Sequence, residues 1–316
     1  MQALQIASQL ESDFNDALER RVGVPVLRLL PGALEIPDSV RILIAAPLAP
    51  EREHALRTPA PAHWPLGLKW VQLVSSGIDI FPDWFFQGVR VSTARGVAAQ
   101  SISEYALAAI LRQTFQLDSL WVNAPEQWRT RRHTLVHGST VGLVGFGAIN
   151  QLLAGKLLAL GARVVTVRGS QTAPAVEGVE RLQAIEQLMA VSDHVVLAAP
   201  STQSTKGIIG AQAWAAAKPG LHLVNVGRGD LIDEAALLAA LDSGKASYAT
   251  LDTTTVEPPP PGHPFYQHPR VALSPHTSAI CWESRAALLE KFVDNLGRFT
   301  AGLPLLDEVQ RGSSCA

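Results

Sequence analysis

The chain of 316 residues is long enough for about two domains of ordinary size, each with its own core. Its 26 lysines and arginines against 28 acids leave no charge excess, which argues against nucleic acid or an anionic membrane as the main partner and favours a small ligand. Only Cys281 and Cys315 occur, too few for a disulfide framework and in no metal-ligand spacing, so a reducing compartment and no metal are expected. The opening MQALQIASQLESDF lacks a basic n-region, and no apolar run approaches the roughly 20 residues needed to span a bilayer. The expectation is a soluble cytoplasmic protein.

Within the first hundred residues VPVLRLL, RILIAAP, LKWVQLVS and VRVSTA read as strands of a smaller α/β domain. SISEYALAAILRQTFQL follows as an amphipathic helix, with Ser101 and Glu104 at capping-box spacing. The segment Asn123 to His137 is polar and holds Arg129, Arg131 and Arg132; it reads as a solvated loop or as an arm in a subunit interface. From Ser139 onward short apolar runs alternate with helix-period segments. TVGLVG, RVVTVR, HVVLAA, LHLVNV, ASYATLD and RVALS predict strands, and AINQLLAGKLLAL, LQAIEQLMA, AQAWAAA and DEAALLAALDSG predict the helices between them. Gly161 stands where a helix-ending glycine belongs. This alternation predicts an α/β fold with a doubly wound parallel sheet.

The stretch VGFGAIN, Val144 to Asn150, joins the first of these strands to the first helix. Gly145 permits the tight turn, and Gly147 lets the backbone approach a pyrophosphate at the helix N-terminus, with Phe146, Ala148 and Ile149 completing the turn. Asn150 replaces the third glycine of the dinucleotide fingerprint, and a slightly wider helix–strand crossing is expected to accommodate it. The acid that would bind a ribose 2′-hydroxyl belongs about 20 residues on. There the sequence has Arg168, Gly169 and Ser170 instead. A guanidinium beside backbone and hydroxyl donors suits a 2′-phosphate, so NADP(H) is preferred, with NAD(H) possible. The plainer reading of Arg168 is a solvated loop residue.

Three further motifs come in order: NVGRGDLIDEAAL, LDTTTVEPPPPGHPF and ALSPHTSA. Taken with SSGID at Ser75 to Asp79 and with GLVGFGAI, they resemble the D-isomer-specific 2-hydroxyacid dehydrogenases, from about Leu68 to Leu306. The resemblance implies a Rossmann-type dinucleotide-binding domain over residues 99–279 and a flavodoxin-like substrate (catalytic) domain over residues 1–98 and 280–316. It also implies an active site of Arg228, Glu257 and His276. Reducing a 2-oxo acid requires anchoring its carboxylate, polarising its ketone and delivering a proton to the oxygen. Arginine offers planar paired donors and a fixed charge. Histidine exchanges a proton near neutral pH, and a glutamate on its other ring nitrogen orients it and favours the charged form.

By the same resemblance the Ser76-Gly77 backbone donates to the substrate carboxylate, while Pro200, Thr205, Val226, Gly227 and Asp252 surround the nicotinamide ribose and carboxamide. Asp252 reads equally well as a strand-end turn residue. The stretch Thr253 to Val256 departs from the family pattern, which has an aromatic and a further acid there, so the packing of this loop is not implied. Glu257 argues against formate oxidation, for which members carry glutamine. The implied activity is NADP(H)-dependent reduction of small 2-oxo acids such as glyoxylate or hydroxypyruvate. The alternative is a non-catalytic NAD(P)-sensing binding protein, like the corepressors that share the fold and the motifs. Leu48, after the strand RILIAAP, is expected to line the substrate pocket with apolar surface. Phe81 and Trp282 either reach that pocket or pack in the core and the hinge. The segment Leu111 to His137 is implied in a homodimer.

Overall fold

The computed structural model describes residues 5–49, 52–167, 169 and 176–309. The chain divides into two compact units, Met1–Ala98 with Ile280–Ala316, and Ala99–Ala279. In chain order the first unit contributes β1 (Gln5–Ser8), α1 (Ser12–Val22), β2 (Val26–Arg28), β3 (Val40–Ala45), α2 (Arg52–Arg57), β4 (Trp70–Leu73) and β5 (Arg90–Ser92). The second contributes α3 (Ala99–Phe115), α4 (Leu117–Leu120), β6 (Thr140–Val144), α5 (Ala148–Ala159), β7 (Arg163–Val167), β8 (Val179–Arg181) and α6 (Ile185–Val191). It continues with β9 (His194–Leu197), α7 (Ala211–Ala216), β10 (Leu221–Asn225), α8 (Glu234–Asp242), β11 (Ala246–Leu251) and β12 (Val271–Leu273). The chain then returns to the first unit through α9 (Trp282–Thr300).

The first unit is a parallel sheet in the order β2-β1-β3-β4-β5, the flavodoxin-like order. Its core needs both ends of the chain. Trp70 on β4 is fully buried and stacks on Phe292 of α9 with ring centroids 5.0 Å apart, while Leu288 and Leu305 join Ile6, Leu18 and Ile44 in one apolar cluster. Asn295, also on α9, donates to Gln72 Oε1 of β4 at 3.2 Å. The carboxyl ends of β3 and β4 open into the loops that carry Leu48 and Ser76-Gly77.

The second unit is a parallel sheet in the order β12-β11-β10-β9-β6-β7-β8. Every residue of β6, β9 and β10 is buried, as expected for strands covered on both faces. The chain winds from β6 outward through β7 and β8, then returns to β9 on the other side of β6. That reversal creates a switch point, and in open α/β sheets ligands bind outside the carboxyl ends of the strands there. Deeper in the sheet His194 Nδ1 lies 3.1 Å from His222 Nδ1. Burial pushes His194 down to about 4 and His222 well below the ordinary histidine value, so the pair is neutral near neutral pH.

One sequence expectation is corrected here. Ser101 does not cap α3, because the helix already starts at Ala99 and the Ser101 hydroxyl donates to the Ser278 carbonyl at 2.6 Å. Asn150, in place of the third glycine, is held by its own side chain. Fully buried, its Nδ2 donates to the carbonyls of Val144 at 3.2 Å and Gly145 at 2.7 Å, tying α5 to the end of β6. The amide thus does with hydrogen bonds what a glycine does by being small. Among the described residues no helix is long and apolar enough to cross a membrane.

Candidate active site

The switch point is built from the turn after β6 and the loop after β9. Gly145 holds φ +80, and a Cβ there would lie 3.0 Å from Ala199 Cα, so only glycine lets these two segments touch. Gly147, the N-cap of α5, has nothing within 4 Å of its Cβ position, and no side chain caps the helix. Gly147 and Ala148 are exposed, so the first N–H groups of α5 face open space, as a pyrophosphate requires. Phe146 turns its side chain into the core and contributes only backbone to the turn. The turn therefore fits a dinucleotide. Arg168 and Ser170 lie outside the described residues; Gly169 is exposed, with open space at its Cβ position. In the loop after β9, Thr205 Oγ1 donates to the Pro200 carbonyl at 2.7 Å and accepts from Thr202 N–H at 2.8 Å, closing the loop on itself.

Arg228 follows β10 by way of Val226 and Gly227. Asn225, fully buried at the end of β10, accepts from Gly227 N–H at 3.1 Å and donates to the Arg228 carbonyl at 2.9 Å. This amide folds the backbone that carries the arginine. Arg228 Nη1 in turn donates to the Gly227 carbonyl at 3.0 Å. One residue further, a Cβ on Gly229 would fall 1.9 Å from the Thr254 carbonyl carbon, so the loops after β10 and β11 pass in backbone contact.

The loop after β11 carries Glu257, and the loop after β12 carries His276. Glu257 Oε1 accepts from Thr254 N–H at 3.1 Å, and Oε2 meets His276 Nδ1 at 2.8 Å. Nδ1 is thereby committed to the carboxylate, and Nε2 is the ring nitrogen left for a substrate. The hydrogen bond to Glu257 raises the His276 pKa above the ordinary histidine value; partial burial, and more weakly the charge of Arg228, pull it the other way. His276 sits at φ 50, a conformation a non-glycine residue holds only when its surroundings impose it.

Asp252 imposes it. Its backbone carbonyl accepts from His276 N–H at 2.9 Å, while its buried carboxylate accepts from Ser274 Oγ at 2.6 Å, Thr277 N–H at 2.9 Å and Ser278 N–H at 3.0 Å. These bonds give Asp252 a structural occupation in the histidine loop, in keeping with its reading as a strand-end turn residue. Tyr105 on α3 extends the network, with its hydroxyl 2.6 Å from Ser274 Oγ. Because Ser274 donates to Asp252, Tyr105 is the donor to Ser274. Asn225, Ser274 and Tyr105 escaped the sequence reading. The one available signal was the serine before the proline of ALSPHTSA.

In the first unit, Ser75 Oγ donates to the Gly77 carbonyl at 2.7 Å and Ser76 Oγ to the Ala94 carbonyl at 3.1 Å, fixing the turn after β4. Leu48 is partly buried against the core of its own unit. Phe81, 3 % exposed, packs on Phe85 with ring centroids 4.9 Å apart and is a core residue. Trp282, at the start of α9, is 78 % exposed.

A doubly wound sheet with a dinucleotide turn at its switch point, and with Arg228, Glu257 and His276 on neighbouring strand ends, defines a nicotinamide-dependent oxidoreductase. The profile of the D-isomer specific 2-hydroxyacid dehydrogenase NAD binding domain matches residues 105–278, and the chain belongs to that family. It is similar to glyoxylate/hydroxypyruvate reductase A of Serratia proteamaculans, 35 % identical over 74 % of this chain and 78 % of that protein. Two solved structures are similar throughout. One is a D-isomer specific 2-hydroxyacid dehydrogenase from Xanthobacter autotrophicus in complex with NADPH, with TM-score 0.79, 28 % identity and 98 % of both chains covered. The other is an NADPH-dependent glyoxylate/hydroxypyruvate reductase from Sinorhizobium meliloti in complex with NADP, with TM-score 0.78, 25 % identity, and 97 % of this chain and 98 % of that one covered.

Proposed function

We propose that this dehydrogenase is an NADP(H)-preferring reductase of small 2-oxo acids such as glyoxylate and hydroxypyruvate. The observation that carries the reading is the 2.8 Å contact between Glu257 Oε2 and His276 Nδ1, which favours the charged form of an imidazole whose other nitrogen is available. The nicotinamide, when bound, supplies the hydride. Arg228 and the backbone N–H groups of Ser76-Gly77 hold the substrate carboxylate, and the arginine also faces the charge that develops on the carbonyl oxygen. His276 passes its Nε2 proton to that oxygen, while Glu257 keeps Nδ1–H engaged and stabilises the charged ring. In the oxidising direction the neutral ring takes the proton back. Reduction therefore requires protonated His276 and weakens as pH rises through its raised pKa; oxidation strengthens over the same range.

Arg168 supports the NADP preference through its charge and position in the sequence, as do the NADPH and NADP bound in the Xanthobacter and Sinorhizobium relatives. Ala46, Pro47 and Leu48 offer apolar surface and no charge for a second carboxylate. A steady-state panel is expected to rank glyoxylate and hydroxypyruvate with NADPH above 2-oxoglutarate or NADH, with Arg168→Asp reversing the nucleotide preference. The highest kcat/KM for 2-oxoglutarate would refute the substrate class, and equal use of the two nucleotides, unchanged in the variant, would refute the role of Arg168.

A homodimer built on Leu111 to His137 is part of the same proposal. Trp121 is 74 % exposed, Trp128 82 % and Leu135 57 %, a concentration of large apolar side chains that a second copy would cover. Sedimentation at micromolar concentration is expected to give a dimer, and a double Trp121→Ala, Trp128→Ala variant should shift it toward monomer. A native chain that sediments as a monomer would end this part of the proposal.

A further inference from the structure

We infer that Glu234 and His263 are positioning residues for the Glu257–His276 pair, fixing from outside the loop from which Glu257 projects. The inference rests on the acid role proposed for His276. The loop Thr253–Val256 is the stretch that departs from the family pattern, and its far half has little to hold it by packing: Thr255 is exposed and Val256 is 58 % exposed. Within the loop Thr254 Oγ1 donates to the Val256 carbonyl at 2.7 Å, and from outside its hold comes from the first turn of α8. Glu234 Oε1 accepts from Thr255 N–H at 3.0 Å, and Glu234 Oε2 lies 3.2 Å from His263 Nε2.

Capping is not what this carboxylate is for, since Asp233 already accepts from Ala236 N–H at 3.1 Å as the N-cap of α8. The histidine has only one arrangement that satisfies both its nitrogens. Nδ1 accepts from Phe265 N–H at 3.3 Å, so Nε2 carries the hydrogen and donates to Glu234. Phe265, 2 % exposed, anchors this turn in the core of the unit. Two consecutive N–H groups of one loop therefore go to two different carboxylates: Thr254 to Glu257, and Thr255 to Glu234. Displacing Thr255 moves the donor beside it, and with that donor the aim of Glu257 Oε2 on the histidine.

A merely structural clamp would change stability and leave the proton chemistry alone, so the deciding readout is the titration of His276. The charged groups acting on its ring are Glu257, Arg228 and Asp252. In the full chain, Glu234→Ala is expected to lower the midpoint of the His276 ring signals in a proton NMR titration. It should also move the pH limb of NADPH-dependent glyoxylate reduction in the same direction and cut kcat about 10- to 100-fold, as expected for a group displaced by a fraction of an ångström to an ångström. Glu234→Gln keeps an acceptor for Thr255 but sets an amide N–H against the His263 N–H, so it should move both readouts the same way and less far. Native midpoints and limbs in both variants would overturn the inference; if the alanine variant does not fold, the glutamine variant alone decides. Glu257→Gln separates the inference from its basis. Should it move the midpoint and limb while the Glu234 variants do not, the clamp is wrong and the acid role stands; should it move neither, both fall.

Discussion

Replacing His276 with alanine should lower kcat by about 100- to 10,000-fold and leave nucleotide affinity close to native. The lost step is proton delivery to the carbonyl oxygen. The fold should tolerate the change, because the side chain is 45 % exposed and its removal opens no cavity in either core. Glu257, itself 38 % exposed, can be solvated when its partner is gone. The φ of 50 at this position is imposed through backbone and Asp252 contacts that alanine leaves in place. Fluorescence titration with NADPH and single-turnover reduction of glyoxylate measure the two quantities separately. A near-native rate in the variant would remove His276 from the chemistry.

The second large effect is expected at Gly229, a residue that touches no substrate. An added Cβ would stand 1.9 Å from the carbonyl carbon and 2.2 Å from the oxygen of Thr254, both backbone atoms, so no rotamer can relieve the clash. The loops after β10 and β11 would have to part, moving Arg228 on one side and Glu257 on the other. Overpacking of this kind costs about 1–3 kcal/mol of stability. The kinetic loss should be larger in proportion, about 100-fold in kcat/KM for a displacement near 1 Å. Chemical denaturation and steady-state kinetics on Gly229→Ala test both numbers, and native kinetics would mean that the two loops do not need their contact.

The strands of the second sheet were legible because buried parallel strands write themselves as continuous apolar runs; TVGLV and LHLVN admit little else. Very short elements were not. VER of β8 and QIAS of β1 span too few residues to show a period, and they are strands because a neighbour is there to pair with. The serine and glutamate at Ser101 and Glu104 had the spacing of a cap, but the serine hydroxyl found a carbonyl 177 residues away. Local patterns cannot announce a partner that only folding supplies.

The same limit applies at the candidate site. Motifs could offer Arg228, Glu257 and His276 as residue types suited to the chemistry. Nothing local marked Asn225, whose amide shapes the arginine turn, or Tyr105, which reaches Ser274 from a helix 169 residues earlier in the chain. Asn150 is the instructive case. Read against a fingerprint it was a deviation; in the structure its side chain donates to the carbonyls of Val144 and Gly145 at the turn.

The first unit is assembled from both ends of the sequence, and this sets a timetable for synthesis. Trp70 leaves the ribosome roughly 200 residues ahead of Phe292, its stacking partner, an interval of about 10–40 s at ordinary elongation rates. During that wait the nascent strands β1 to β5 lack the helix that covers one face of their sheet. The continuous stretch Ala99–Ala279 can meanwhile close its own core. Maturation thus runs from the middle of the gene product outward, and a chain stalled before α9 presents Trp70 and its apolar neighbours to chaperones.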